Sequence, residues 1–232
     1  MTEPKAVKVV LLGESGVGKT SIIQRFINNT FNPRPETSVS AQFVSKTIEF
    51  PEYNKTVKFD IWDTVGQEKY RSLAKIFYKD AKIIIFVYDI TSEYSFKSLK
   101  DFWYKETKDN ADEEPIFALV ANKNDLYSEE QVDNVEGKKF AEEIKAIFQT
   151  TSCYSAFGVD NLFENLGKKI LNPKFDYKEK ERKIKENLAK SKEEEKNNDD
   201  KGKNKDDKND NKNKDKIKLD NTNKNTKGKK CC

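Results

Sequence analysis

Not one of the chain's 232 residues is a histidine, which excludes imidazole acid–base catalysis and histidine metal ligation. Its three cysteines, two of them at the last two positions, are too few for a disulfide framework and fit a reducing compartment. No run of 18 apolar residues and no signal-peptide pattern occurs, so the protein is expected to be made and kept in the cytosol. Apolar residues are also missing from the last quarter. Hydrophobic residues make up 35% of the chain, and nearly all of them precede Asn172.

From residue 172 onward the sequence is Lys, Asn, Asp and Glu with isolated apolar residues, too little to offset the entropy of ordering the backbone. Residues 1–171 hold 23 basic and 26 acidic side chains, whereas 172–232 hold 21 and 14. The net +4 therefore belongs to the tail. The organisation expected is one domain over 1–171 and a disordered, charged tail over 172–232. A mixed-sign tail reads as a solvated spacer. It lacks the interleaved aromatics of a nucleic-acid binder, so no nucleic-acid partner is expected. "YKEKERKIKENLAKSKEEEK" is rich in helix formers and opposite charges at i,i+4, which allows a solvated helix there.

What is present is a series of strand-length apolar runs: "AVKVVLLG", "QFVSKTIEF", "VKFDIWD", "KIIIFVYDI", "IFALVANK" and "IFQTTS". Segments of helical spacing, "KTSIIQRFINN", "YSFKSLKDFWYKE" and "NLFENLGKKIL", separate most of them. Strands alternating with helices predict an α/β fold, a mostly parallel six-stranded sheet with helices on both faces. Residues 42–50 and 56–62 are joined only by "PEYNK", too short for a crossover helix. They predict an antiparallel hairpin at one edge of the sheet. Ligands of such open sheets sit at the carboxyl ends of the strands.

At the first of those ends stands "GESGVGKT", residues 13–20, which fits G-x-x-x-x-G-K-[ST] between a strand and a helix. Its glycines let backbone N–H groups turn inward around an anion, Lys19 reaches the outer phosphates, and Thr20 offers a hydroxyl to Mg²⁺. "DIWDTVGQE" ends a later strand with Asp63, which can hold Mg²⁺ through water, followed by Gly66, whose amide can meet a γ-phosphate. "VANKND" ends another with Asn122, Lys123 and Asp125. A buried carboxylate at Asp125 accepts from N1 and N2 of guanine, a donor pair that adenine lacks.

These blocks, in this order, resemble the Ras-like small GTPases over residues 6–171. "KFDIWDTVGQEKYRSLAKIFYKDA", "VYDITSEYSF" and the terminal "CC" narrow the resemblance to Rab GTPases. It implies a P-loop NTPase three-layer fold and a switch that hydrolyses GTP to GDP, slowly without an activating protein, and binds effectors only in its GTP form. By the same resemblance Ser15, Gly16, Val17, Gly18, Lys19, Thr20 and Ser21 line the phosphates and Phe31 packs against guanine. Gln67 orients the attacking water, and Ser152, Cys153 and Tyr154 complete the base site, Cys153 by a backbone N–H to the guanine oxygen. A rival alignment would place "SAFG", residues 155–158, there instead. Phe43, Trp62 and Phe77 match an effector-facing patch, with ordinary core packing as the alternative. Exchange factors, activating proteins, effectors, prenylation machinery and a GDP-dissociation inhibitor are the implied partners, and the cytoplasmic face of intracellular membranes, endosomal by the closest branch, the implied place.

Several positions depart from the family pattern. The switch threonine is replaced by Ser38, which joins Thr20 and Asp63 in the implied Mg²⁺ set, with Thr37 as its neighbouring competitor. Serine keeps the oxygen and loses a packing methyl, which predicts a looser closed state. Val65 and Ser40 are bulkier than the usual alanine and glycine; Val65 together with Ser38 leaves open a slowly or non-hydrolysing, nucleotide-bound scaffold at a membrane, against which the retained Gln67 argues. Tyr154 stands where the family has lysine. Cys231 and Cys232 resemble a double-geranylgeranylation signal, and two lipid chains anchor stably where one does not. The 58 residues from 173 to 230 would span roughly 40 to 45 Å as a flexible coil, and the Lys-rich end adds attraction to anionic lipid.

Overall fold

A computed structural model describes residues 4–33, 42–63, 78–110, 114–179 and 182. Its six-stranded sheet consists of β1 (Lys5–Leu12), β2 (Gln42–Phe50), β3 (Lys55–Asp63), β4 (Ile83–Asp89), β5 (Ile116–Asn122) and β6 (Ile147–Thr150), in the spatial order β2-β3-β1-β4-β5-β6. Every pairing is parallel except β2 with β3. The expected edge hairpin is therefore present. A short 3₁₀ turn, Pro51–Tyr53, and Asn54 in the left-handed region close it.

Period-two alternation divides each central strand between two cores. Val9 and Leu11 of β1, Ile85 and Val87 of β4, and Val120 of β5 face α1 (Lys19–Asn28) and α5 (Val159–Leu171), among Ile22, Phe26, Phe163 and Leu166. Val10, Leu12, Phe86, Tyr88 and Leu119 point the other way, toward Phe96, Leu99, Trp103 and Phe140. All seven residues of β4 are buried, as a strand covered on both faces requires. Gly167 lets α5 approach the end of β2, since a Cβ there would lie 2.1 Å from the Phe50 ring.

The helical segment read from "YSFKSLKDFWYKE" is interrupted. It runs as α2 (Glu93–Ser98), a π-helical turn (Leu99–Trp103) and α3 (Tyr104–Asn110). A further helix, α4 (Asn134–Glu143), capped by the Asp133 side chain on the Val135 N–H, covers the second core with Phe140 and Ala141. The unit that contains the sheet extends from Met1 to Tyr177; Tyr177 packs on the first core and its hydroxyl donates to Ala146 O at 3.4 Å. Of the unit Lys178–Cys232, only residues 178, 179 and 182 are described, so the rest of the tail over 172–232, Cys231 and Cys232 included, lies outside the described residues.

Candidate functional site

The carboxyl ends of β1, β3, β5 and β6 meet at one rim of the sheet, and the quoted motifs occupy it. The loop after β1 carries Gly13, Gly16 and Gly18 at φ of 148°, 80° and 98°, a backbone path that side-chain-bearing residues rarely adopt. Ser15 and Gly16 are exposed, whereas Val17 and Ser21 are buried. Lys19 opens α1, folds back under the loop and donates through Nζ to Gly13 O and Glu14 O, both at 2.9 Å. This lysine is 5% exposed, and burial pushes its ammonium down to about 8 against partial support from the Asp63 and Glu14 carboxylates.

That depression has a defined consequence. Phosphates arriving at Lys19 favour its charged form, so nucleotide binding above pH 8 takes up protons through this group and weakens as pH rises further. In the nucleotide-free protein stability rises between about pH 8 and the ordinary lysine range, because there the unfolded chain holds a proton the folded site has lost. Titration calorimetry of GDP binding in two buffers of different ionisation enthalpy reads the uptake. Identical apparent enthalpies would show that Lys19 is already fully charged.

Across the rim from Lys19, Thr20 Oγ1 donates to Asp63 Oδ2 at 2.6 Å. Asp63 is 2% exposed, and its Oδ1 has no hydrogen-bond partner among the described residues. Burial raises its carboxyl above the usual range, only partly offset by the Thr20 hydroxyl and Lys19. An unsatisfied buried carboxylate oxygen beside a hydroxyl is the donor set of a hard divalent cation, so these residues fit Mg²⁺.

Asn122 joins the phosphate loop to the other half of the site. Its Nδ2 donates to Val17 O at 2.8 Å, and its Oδ1 accepts from Thr151 Oγ1 at 2.9 Å. Ser152 Oγ donates to Asp125 Oδ1 at 2.5 Å, so Ser152 rather than Ser155 meets that carboxylate. Ser155 instead donates its N–H to Ser152 Oγ. Lys123, at a left-handed φ of 64°, pairs with Asp89 Oδ2 at 2.6 Å. Phe31 and Tyr154 meet edge to face, ring centroids 6.0 Å apart. One expectation changes: Asp125 is exposed, not buried. The carboxylate is oriented by the Ser152 hydroxyl.

The sequence reading missed three contributors. Asp89 ends β4 and also accepts from the N–H and hydroxyl of Thr91; its place at a parallel strand end was the available signal. Thr151 was passed over beside Ser152. Glu14, buried inside the phosphate loop, accepts from Ser98 Oγ and from Trp103 Nε1, the latter at 3.1 Å. Residues five apart lie about 140° apart around an α-helix. The π-helical turn, with Tyr104 N–H bonded to Leu99 O, brings Ser98 and Trp103 to one carboxylate.

The rest of the expected site divides in two. Phe43 and Trp62 are cross-strand neighbours with ring centroids 5.2 Å apart. Phe43 is 51% exposed, so core packing does not account for it. Ser38, Gly66, Gln67 and Phe77, with Thr37, Ser40 and Val65, lie outside the described residues.

A mixed sheet in this order, a glycine loop cradling Lys19 and an Asn-Lys-x-Asp strand end define a P-loop GTPase. The Ras family model matches residues 8–172. Similar chains include Ras-related protein Rab-22A of Homo sapiens and of Canis lupus familiaris, each 39% identical over 166 residues, and of Mus musculus, 38% identical over 166. Each alignment covers 72% of this chain and 84% of the relative. The chain belongs to the Ras family and is a Rab-type small GTPase, a guanine-nucleotide switch that hydrolyses GTP.

Proposed function

We propose that this GTPase works in vesicle traffic at endosomal membranes, cycling between a GTP form that recruits effectors and a GDP form that releases them. The similarity to Rab-22A supports the endosomal assignment. The observation that carries the site reading is Asn122, whose two amide atoms hold Val17 of the phosphate loop and Thr151 of the base loop. One side chain thus sets the distance between phosphate and base recognition.

In this reading the main-chain amides of residues 15–21 and the Lys19 ammonium bind the phosphates, with Gly66 at the γ position. Thr20, Asp63 and Ser38 hold Mg²⁺, which when bound neutralises charge on the phosphate oxygens. Asp125 accepts from guanine N1 and N2, Cys153 N–H meets O6, and Phe31, Lys123 and Tyr154 enclose the ring. Gln67 orients water for in-line attack, so no covalent intermediate forms. Phe43, Trp62 and Phe77 form the effector-facing patch. Exchange factors, activating proteins, prenylation enzymes and a GDP-dissociation inhibitor act on the cycle, and lipids on Cys231 and Cys232 attach the protein to its membrane through the tail over 172–232.

Single-turnover hydrolysis tests the catalytic assignment. Gln67→Leu is expected to lower the hydrolysis rate by about 10-fold or more while leaving GTP affinity within about threefold, as befits a group acting only on the reacting water. An unchanged rate would remove Gln67 from the reaction.

A further inference from the structure

Arg25 lies in the last turn of α1, beyond the residues that meet phosphate, and its guanidinium spends all five N–H donors on one junction. Nε and Nη2 donate to Cys153 O at 2.8 and 2.7 Å, and Nη2 also reaches Tyr154 O at 3.2 Å. Nη1 donates to Asn29 O at 2.8 Å and to Asn29 Oδ1 at 3.1 Å. A planar fork satisfies two neighbouring carbonyls at once; a lysine ammonium cannot reproduce it. No other hydrogen bond to Cys153 O or Tyr154 O occurs among the described residues.

The residue before Cys153 is fixed independently. Ser152 N–H donates to Phe157 O at 2.9 Å, and Ser152 Oγ bonds Asp125. Between these two anchors the direction of the Cys153 N–H is set. Asn29 stands at the left-handed end of α1, two residues before Phe31, so the same guanidinium links the base loop to the chain segment that carries the aromatic against Tyr154.

We propose that Arg25 is a positioning residue for base recognition: by clamping the Cys153 and Tyr154 carbonyls to the end of α1, it aims the Cys153 N–H at guanine O6 and slows nucleotide release. The proposal rests on the reading that this N–H meets O6. It links α1, whose first turn lies at the phosphates, to the edge of the base that distinguishes guanine.

The test uses the full chain loaded with GDP or with 6-thio-GDP, which keeps the N1 and N2 donors facing Asp125 but replaces O6 by weakly accepting sulfur. Release is followed by chasing with excess unlabelled nucleotide. Arg25→Lys and Arg25→Ala should release GDP at least 10-fold faster than the wild type, whereas for 6-thio-GDP the acceleration should shrink to about threefold or less, the coupling expected of groups that act together. Arg25→Lys keeps charge and stem, and carries the test if Arg25→Ala does not fold. Wild-type GDP release in the lysine variant would overturn the proposal, and so would equal acceleration for both nucleotides, which marks a merely structural tether. If the wild type itself releases both nucleotides equally, the contact of Cys153 N–H with O6 is wrong, and the proposal falls with it.

Discussion

Asp125→Asn should lose guanine nucleotide by a factor of about 10³ or more and gain xanthine nucleotide. The carboxylate offers acceptors to both N1–H and the N2 amine of guanine, and Ser152 Oγ holds it in place at 2.5 Å. An asparagine there turns one acceptor into an NH₂ donor. That donor faces the N2 amine of guanine, leaving two donors in opposition, but it matches the O2 carbonyl of xanthine. Sites built on paired hydrogen bonds reject a mismatched partner by about 10⁴–10⁵, and the one acceptor that asparagine keeps for N1–H softens that figure. Competition by GDP and XDP for a fluorescent guanine nucleotide reads the exchange of preference. A variant that holds GDP within 10-fold of the wild type and ignores XDP would remove Asp125 from base selection.

Gly18→Ala is expected to be comparably damaging by a different route. Gly18 has φ of 98°, and a Cβ there would lie 2.3 Å from Asn122 Nδ2. The methyl group meets both a strained backbone and a side chain that is not free to yield, because Asn122 is 2% exposed and bonded at both amide atoms. Displacing it leaves Val17 O and the Thr151 hydroxyl short of a partner, at about 1–3 kcal/mol each, and strain in the loop adds a similar amount. The expected outcome is a loss of about 3 kcal/mol or more in stability, together with loss of nucleotide binding. Chemical denaturation and nucleotide titration read the two effects. A variant as stable as the wild type would show that Asn122 moves aside at no cost.

Both predictions turn on residues that were legible in the sequence, because phosphate and base recognition depend on short motifs at strand ends. The fold was legible for the same kind of reason. β4 declared itself by an unbroken apolar run, and the β2–β3 hairpin by a connection too short for a helix. Asp89 apart, what escaped had no local signature. α4 buries Gly137 against the Tyr88 hydroxyl and the Phe148 ring, so its inward face includes a residue that hydrophobic periodicity does not count. The π-helical turn keeps the composition of an α-helix and differs only in which side chains share a face. Arg25 and Cys153 are 128 positions apart, a pairing that only the closed sheet creates. The expectation of a buried Asp125 went beyond what the motif shows: pairing with the N1 and N2 donors needs an oriented acceptor, and the Ser152 hydroxyl orients it.

The Lys19 proton uptake and the Arg25 clamp probe opposite ends of one continuous device. The phosphate end depends on a buried cation held by backbone carbonyls. The base end depends on carbonyls kept in place by a cation. Asn122 sits between them, and for that reason its hydrogen bonds matter more than their number alone would indicate.

The most direct measurement is the nucleotide carried by the purified full-length protein, released by denaturation and identified chromatographically, with its dissociation followed before and after Mg²⁺ is chelated. Close to one guanine nucleotide per chain, no adenine nucleotide, and release that quickens when the metal is withdrawn are the expected results. Protein that purifies empty and then takes up ATP as readily as GTP would contradict guanine-nucleotide binding at this site.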